Sequence, residues 1–104
     1  MSKYVLAYTG GAMGASPEEQ EKAMEAWMGW FGSLGAAVLD AGNPFGPGST
    51  VAPDGSVTEG GTSRLTGYSI IEADSLSAAA QSAKGCPVLS SGGSIEVYEA
   101  MPIG

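Results

Sequence analysis

Residues 16–42, SPEEQEKAMEAWMGWFGSLGAAVLDAG, carry the pattern of one amphipathic helix long enough to organise a small chain around it. Ser16 can cap its start, Pro17 suits the first helical position, and Glu19 completes an S-x-x-E capping box. Glu18, Glu19 and Glu21 place negative charge on the positive end of the helix dipole. At 100° per residue Met24, Trp27, Met28, Phe31, Leu34 and Val38 fall in one apolar stripe, with Leu39 at its edge. Lys22, Glu25, Ser33 and Asp40 lie on the other side. Gly42 is the stop signal, with Pro44 just beyond. Gly29, Gly32 and Gly35 each weaken a helix interior by about 1 kcal/mol, yet the stripe keeps its phase through all three. The expectation is therefore a single helix from Ser16 to Gly42. The glycines read as points of close approach to a sheet or a second helix. The alternative is a groove left open beside Trp30, which lies about 80° off the centre of the stripe and is expected to be only partly covered.

Outward from that helix, the pattern changes period. Lys3–Thr9 alternates Tyr4, Leu6 and Tyr8 with Val5 and Ala7, apolar on both faces as a central strand is. Residues 10–15 form a glycine-rich loop. They are not a phosphate loop, since G-K-[ST] and the G-x-G-x-x-G spacing are absent and three glutamates crowd the helix start. After an irregular connector over 43–48, Ser49–Ala52 and Ser56–Glu59 are two short extended arms joined by the turn Pro53-Asp54-Gly55. Thr58–Gly67 is a polar, glycine-rich loop. Gly67–Ala73 is another two-sided strand. Asp74 or Ser75 caps a short helix to about Lys84, with Leu76, Ala79, Ala80 and Ala83 on its narrow apolar face. Val88–Gly93 is a loop, and Ser94–Met101 is the last strand.

The order is βαββαβ, with the arms standing for the second strand. The expected class is α+β: a ferredoxin-like four-stranded antiparallel sheet, both helices on one face, strands one and three central. The chain of 104 residues is sized for one domain. Its net charge is −7, with only Lys3, Lys22, Arg64 and Lys84 positive. No basic cluster exists, which argues against binding nucleic acid or anionic membranes. No apolar run approaches the length of a membrane span, and the N-terminus carries no signal-peptide pattern. Cys86 is the sole cysteine and reads as a small buried hydrophobe in a reducing, cytoplasmic setting.

The chain contains no histidine. A serine–histidine–acid triad and histidine metal sites are excluded by residue type, and one cysteine cannot build a zinc site. Calcium-loop spacing is absent, and nothing implies a cofactor. Carboxylate, tyrosine or lysine remains for acid–base work. Asp40 is the best-placed carboxylate, beside the Gly42 bend, although a solvated helix-end residue is the plainer reading. Asn43 orients a ligand or closes a turn. Tyr8 and Tyr68 sit on the central strands, where each presents a hydroxyl to a pocket or packs into the core. Arg64 is either a clamp for a ligand carboxylate or a solvated loop residue. Together with the aromatic helix edge, the candidate ligand-binding set is Trp27, Trp30, Asp40, Asn43, Arg64 and Tyr68, with the Thr58–Gly67 loop over it.

Several segments resemble a known family. They are the N-terminal K-Y-V-L-x-Y strand, the Trp-containing helix, Ala41-Gly42-Asn43-Pro44, Gly67-Tyr68-x-Ile70-Ile71-x-Ala73-Asp74-Ser75-Leu76, Cys86-Pro87 and Gly92-Gly93-Ser94-Ile95-Glu96-Val97. The sequence is similar to the YCII-related, or DGPF-domain, proteins over nearly its whole length. The resemblance implies a ferredoxin-like fold paired into a dimeric α/β barrel. Some members resemble small-molecule lyases or dehydrochlorinases, with a histidine–aspartate pair proposed as acid and base. Here Thr58-Glu59-Gly60-Gly61 replaces the D-G-P-F signature, and without histidine that chemistry does not carry over.

Two functions follow as expectations. The first is a homodimeric, non-catalytic module that binds a small organic ligand or a partner. The second is a lyase-like enzyme using Asp40 or a tyrosine. The homodimer is expected through the sheet, because two short helices cover one face only. Pairing the uncovered faces would bury on the order of 1,500 Å².

Overall fold

Strand β1 (Ser2–Thr9) is the axis of the sheet, and its pleat divides the molecule into two sides. The computed structural model describes residues 1–11 and 16–103. Helix α1 spans Pro17–Leu34, strand β2 Val38–Asp40, strands β3 and β4 Ser49–Val51 and Val57–Glu59, and strand β5 Leu65–Ala73. Helix α2 (Leu76–Ala83) and strand β6 (Ser94–Ala100) complete the chain. The main sheet is antiparallel in the order β2-β5-β1-β6, with the expected first and third strands at its centre. The resulting α+β architecture is the ferredoxin-like one.

The register sorts side chains by face, since successive residues of a strand point to opposite sides. Tyr4, Leu6 and Tyr8 of β1 stand opposite Ile71, Ser69 and Gly67 of β5. This is the buried side: Leu6 and Ile71 are fully enclosed, and they share one core with Trp30 of α1 and Ala79 and Ala83 of α2. Both helices therefore lie on one face, as expected. The other face carries Val5 and Ala7 opposite Ile70 and Tyr68, with Tyr98 of β6 beside Val5. Among the described residues no helix or strand covers it, and Tyr98 is exposed.

Local chemistry explains the element ends. Ser16 Oγ accepts a hydrogen bond from the Glu19 amide at 3.1 Å, and Ser75 Oγ does the same for Ala78. Both caps satisfy amides that a helix start leaves without partners.

The long helix is shorter than its apolar stripe. It ends at Gly35, whose φ of 58° lies in the left-handed region, and a single 3-10 turn (Gly35–Ala37) leads into β2. Val38 and Asp40 then pair with Ile71 and Ile70. The second strand of the sheet is thus the segment read as the last turn of the helix. The arms at 49–51 and 57–59 instead form a separate two-stranded hairpin. The helical phase of Val38 was a coincidence of spacing: three residues are too few to tell period 3.6 from period 2. Residues 87–89, expected as loop, form a further 3-10 turn. Of the glycine-rich loop expected over 10–15, residues 12–15 lie outside the described residues.

Trp30 also departs from expectation. It is buried, with 6% of its surface exposed, and its Nε1 donates to the Ser82 carbonyl at 3.0 Å, tying α1 to α2. The extent of the stripe was misjudged: α1 turns its Trp30 edge to the sheet and leaves Met24 and Met28 53% and 70% exposed. Gly29, Gly32 and Gly35 face open space, so they mark no close approach.

Candidate functional site

Tyr8 sits where the sheet, α1 and the segment after β2 meet, and above it lies a cleft of about 510 Å³. The cleft exists because its floor lacks side chains on one side. Gly67 stands opposite Tyr8 in the register, and a Cβ there would come within 3.1 Å of the Asn43 carbonyl and 3.5 Å of the Tyr8 ring. Trp27 and Phe31 form one wall, and Met24 and Met28 its lip. Residues 41–44 and 66–68 form the opposite wall, and Gly11, Val88 and Ser91 close one end. The volume suits a small organic molecule.

The far wall is held close to β5 by Gly42. Its φ is +78°, and an added Cβ would lie 1.6 Å from the Tyr68 carbonyl oxygen, so only glycine fits. Three hydrogen bonds complete the fastening. Ser69 Oγ donates to the Ala41 carbonyl at 2.7 Å, Asp40 Oδ1 accepts from the Gly42 amide at 2.8 Å, and the Tyr68 hydroxyl donates to Asp40 Oδ2 at 3.2 Å.

Beneath the floor, the Tyr8 hydroxyl donates to Ser69 Oγ at 2.7 Å, which makes a two-step chain to the Ala41 carbonyl. Burial pushes the Tyr8 phenol well above the ordinary tyrosine range. Cys86, buried beside it, is pushed up to about 11 by the same cause. Both groups stay protonated at neutral pH. Neither is poised as a base or as a thiolate nucleophile.

Of the residues proposed from sequence, Trp27, Asn43 and Tyr68 line the cleft. Trp30 lies behind the wall in the core, with its ring centroid 5.9 Å from that of Trp27. Asp40 stands outside the lining and is bonded to Tyr68. Arg64 is displaced from the group. It borders a shallow depression beside the β3–β4 hairpin, at the one described non-glycine position with positive φ (54°). The Thr58–Gly67 segment accordingly contributes only Thr66 and Gly67 to the cleft.

The lip methionines, Phe31, Val88 and Ser91 were missed as site residues. Met24, Met28 and Phe31 were legible as apolar but not as uncovered, because periodicity reports a stripe and not what lies on it. Val88 and Ser91 carry no local signal. Among the described residues no three Asp, Glu or Cys side chains gather as metal ligands would, and no helix is long and apolar enough to cross a membrane.

The family model for the YCII-related domain matches residues 2–103, nearly the whole chain. This chain belongs to the YCII-related family. No curated protein and no solved structure is significantly similar to it. Among YCII-related features, the segment Ala41-Gly42-Asn43-Pro44 is the one that builds the far wall here, and Gly67-Tyr68 is the backbone it rests on.

Proposed function

We propose that this YCII-related chain is a non-catalytic binding module that takes a small organic molecule in the cleft above Tyr8 and works as a homodimer. The observation that carries the reading is the cleft itself: an aromatic and thioether wall, a volume of about 510 Å³, and no charged side chain among the described residues of its lining. Binding sites for small molecules have this character, mostly apolar with a few polar groups at the edge. Asn43, exposed at the rim, has no side-chain hydrogen bond among the described residues and is free to orient a ligand.

The homodimer rests on the open face of the sheet. Val5, Ala7 and Ile70 are half-buried there with no covering element, and Tyr98 is exposed beside them. An uncovered central sheet face of this kind favours a twofold partner. The single unpaired Cys86 fits a reducing, cytoplasmic compartment.

A lyase-like enzyme is the second reading, and the Asp40–Tyr68 hydrogen bond is its best support. Against it, Asp40 stands outside the cleft lining, its Oδ1 accepting from the Gly42 amide and its Oδ2 from the Tyr68 hydroxyl. The test is a ligand screen read on methionine methyl resonances. Binding in the cleft shifts Met24 and Met28 and leaves Met1 and Met101 unmoved. Ligands that move Met101 but neither lip methionine would overturn the assignment.

A further inference from the structure

The lining of the cleft also specifies the charge and shape of what it holds, an argument that rests on the binding reading above. Three features bear on it. Among the described residues no Lys, Arg, Asp or Glu lines the cleft, so an ionic group on a ligand would lose water and gain no counter-charge. The chain carries a net charge of −7, and an anion is repelled before it arrives. A cation would be drawn in by that charge, so the aromatic groups must be asked whether they form a cage for one.

They do not. Rings that hold a cation stand apart and turn their faces to a common centre. Here the rings are packed on each other. Tyr8 and Trp27 meet edge to face at a centroid separation of 5.2 Å, and Trp27 and Phe31 lie 5.9 Å apart at an interplanar angle of 37°. No room for an ammonium group remains between them. What they present to the cleft is one continuous aromatic wall, with the flexible thioethers of Met24 and Met28 at its lip. Methionine adapts to irregular shapes and makes favourable contacts with ring edges.

We infer that the ligand is an uncharged, flat, largely hydrocarbon or aromatic molecule, laid against Trp27 and Phe31 and clasped by Met24 and Met28. Its polar end, where it has one, meets Asn43 and Ser91 at the borders of the cleft. Ser91 Oγ donates to the Val88 carbonyl at 3.2 Å and keeps its lone pairs free to accept. The site prefers a donor on the ligand there, such as a hydroxyl.

Three probes with one skeleton decide it: 1-naphthalenemethanol, 1-naphthoate and 1-naphthylmethylammonium, titrated calorimetrically at pH 7 into the wild-type protein and into Met28→Glu. Met28 is 70% exposed, so that substitution leaves the fold intact while placing a charge on the lip. The expected result is binding of the alcohol with a negative heat-capacity change, and binding of each ion at least about tenfold weaker. Met28→Glu then weakens the alcohol severalfold. An ion binding as tightly as the alcohol, with Met28→Glu still altering it, overturns the charge assignment and leaves the cleft as the site. Binding of the alcohol that Met28→Glu does not change, or no binding by any probe up to millimolar concentration, overturns the cleft reading itself.

Discussion

Replacing Gly42 by alanine tests the account of how the cleft is built. The position has a φ of +78°, which costs an L-residue roughly 1–2 kcal/mol. The added Cβ would stand 1.6 Å from the Tyr68 carbonyl oxygen and 2.6 Å from its carbon, far inside contact distance. Both obstacles are backbone in a central strand and cannot swing aside. The segment 41–43 must therefore lift from β5. Lifting it breaks the Ser69–Ala41 bond and the Asp40–Gly42 bond, at about 1 kcal/mol each. The sum is about 3–4 kcal/mol, a large share of the stability of a chain this size. At roughly 4–8 °C per kcal/mol the melting temperature falls on the order of 15 °C or more. Gly29→Ala and Gly32→Ala serve as controls in the same denaturation series. Their Cβ atoms meet nothing within 4 Å, so each stabilises α1 by about 0.5–1 kcal/mol. A Gly42→Ala protein within about 1 kcal/mol of wild type in urea unfolding would refute the close-approach argument.

Ser69→Ala leaves the buried Tyr8 hydroxyl without its acceptor and costs about 1–3 kcal/mol; adding Tyr8→Phe recovers part of that loss, read as a coupling energy in a double-mutant cycle. Alkaline pH should destabilise the fold through Cys86. Its thiol titrates near 9.0 when unfolded and about 11 when folded, so the folded state holds the proton longer. The stabilisation is complete below pH 9 and is lost as pH rises towards 11. Tyr8 adds to the loss above pH 10, and urea midpoints at stepped pH should fall less in Cys86→Ala. Finally, Ile70→Glu puts a charge in the middle of the open sheet face. It should reduce the mass seen by light scattering from two chains to one while circular dichroism stays unchanged; a wild-type mass of a single chain would refute the dimer.

Strands β1, β5 and β6 and helix α2 were legible because each signal was local and unopposed. Two-sided apolar strands are rare outside a sheet centre, and Ser75 with Gly85 frames the short helix. The end of α1 was not legible, for a definite reason. Gly29, Gly32 and Gly35 are equivalent in sequence, but only Gly35 takes a positive φ, and the cause is tertiary: Val38 is claimed by Ile71 across the strand pair. The lining of the cleft was half legible. Trp27, Asn43 and Tyr68 were found by residue type and position. Trp30 was assigned the wrong exposure because its partner, the Ser82 carbonyl, is 52 residues away and carries no side-chain signal. Arg64 was grouped with the site as a carboxylate clamp on the Thr58–Gly67 loop, and residue type says nothing about direction.

The polar groups around the cleft serve largely to hold its walls together. The void follows from two glycines, one opposite Tyr8 and one at the exit of β2, where any side chain would fill space or push the wall away. Around such a void the polar groups are used to fix the backbone. Tyr8 and Ser69 form a chain to the Ala41 carbonyl, and Asp40 bridges Gly42 and Tyr68. Thr66 Oγ1 donates toward the Gly10 carbonyl at 3.1 Å. Each of these groups helps hold the wall it touches. The Asp40 carboxylate, which accepts from the Gly42 amide and the Tyr68 hydroxyl, lies outside the cleft lining. What faces the void is mostly ring, thioether and glycine backbone, with the polar Asn43, Thr66 and Ser91 at its borders. Such a surface removes apolar area from water, at roughly 25 cal/mol per Å², and discriminates by shape.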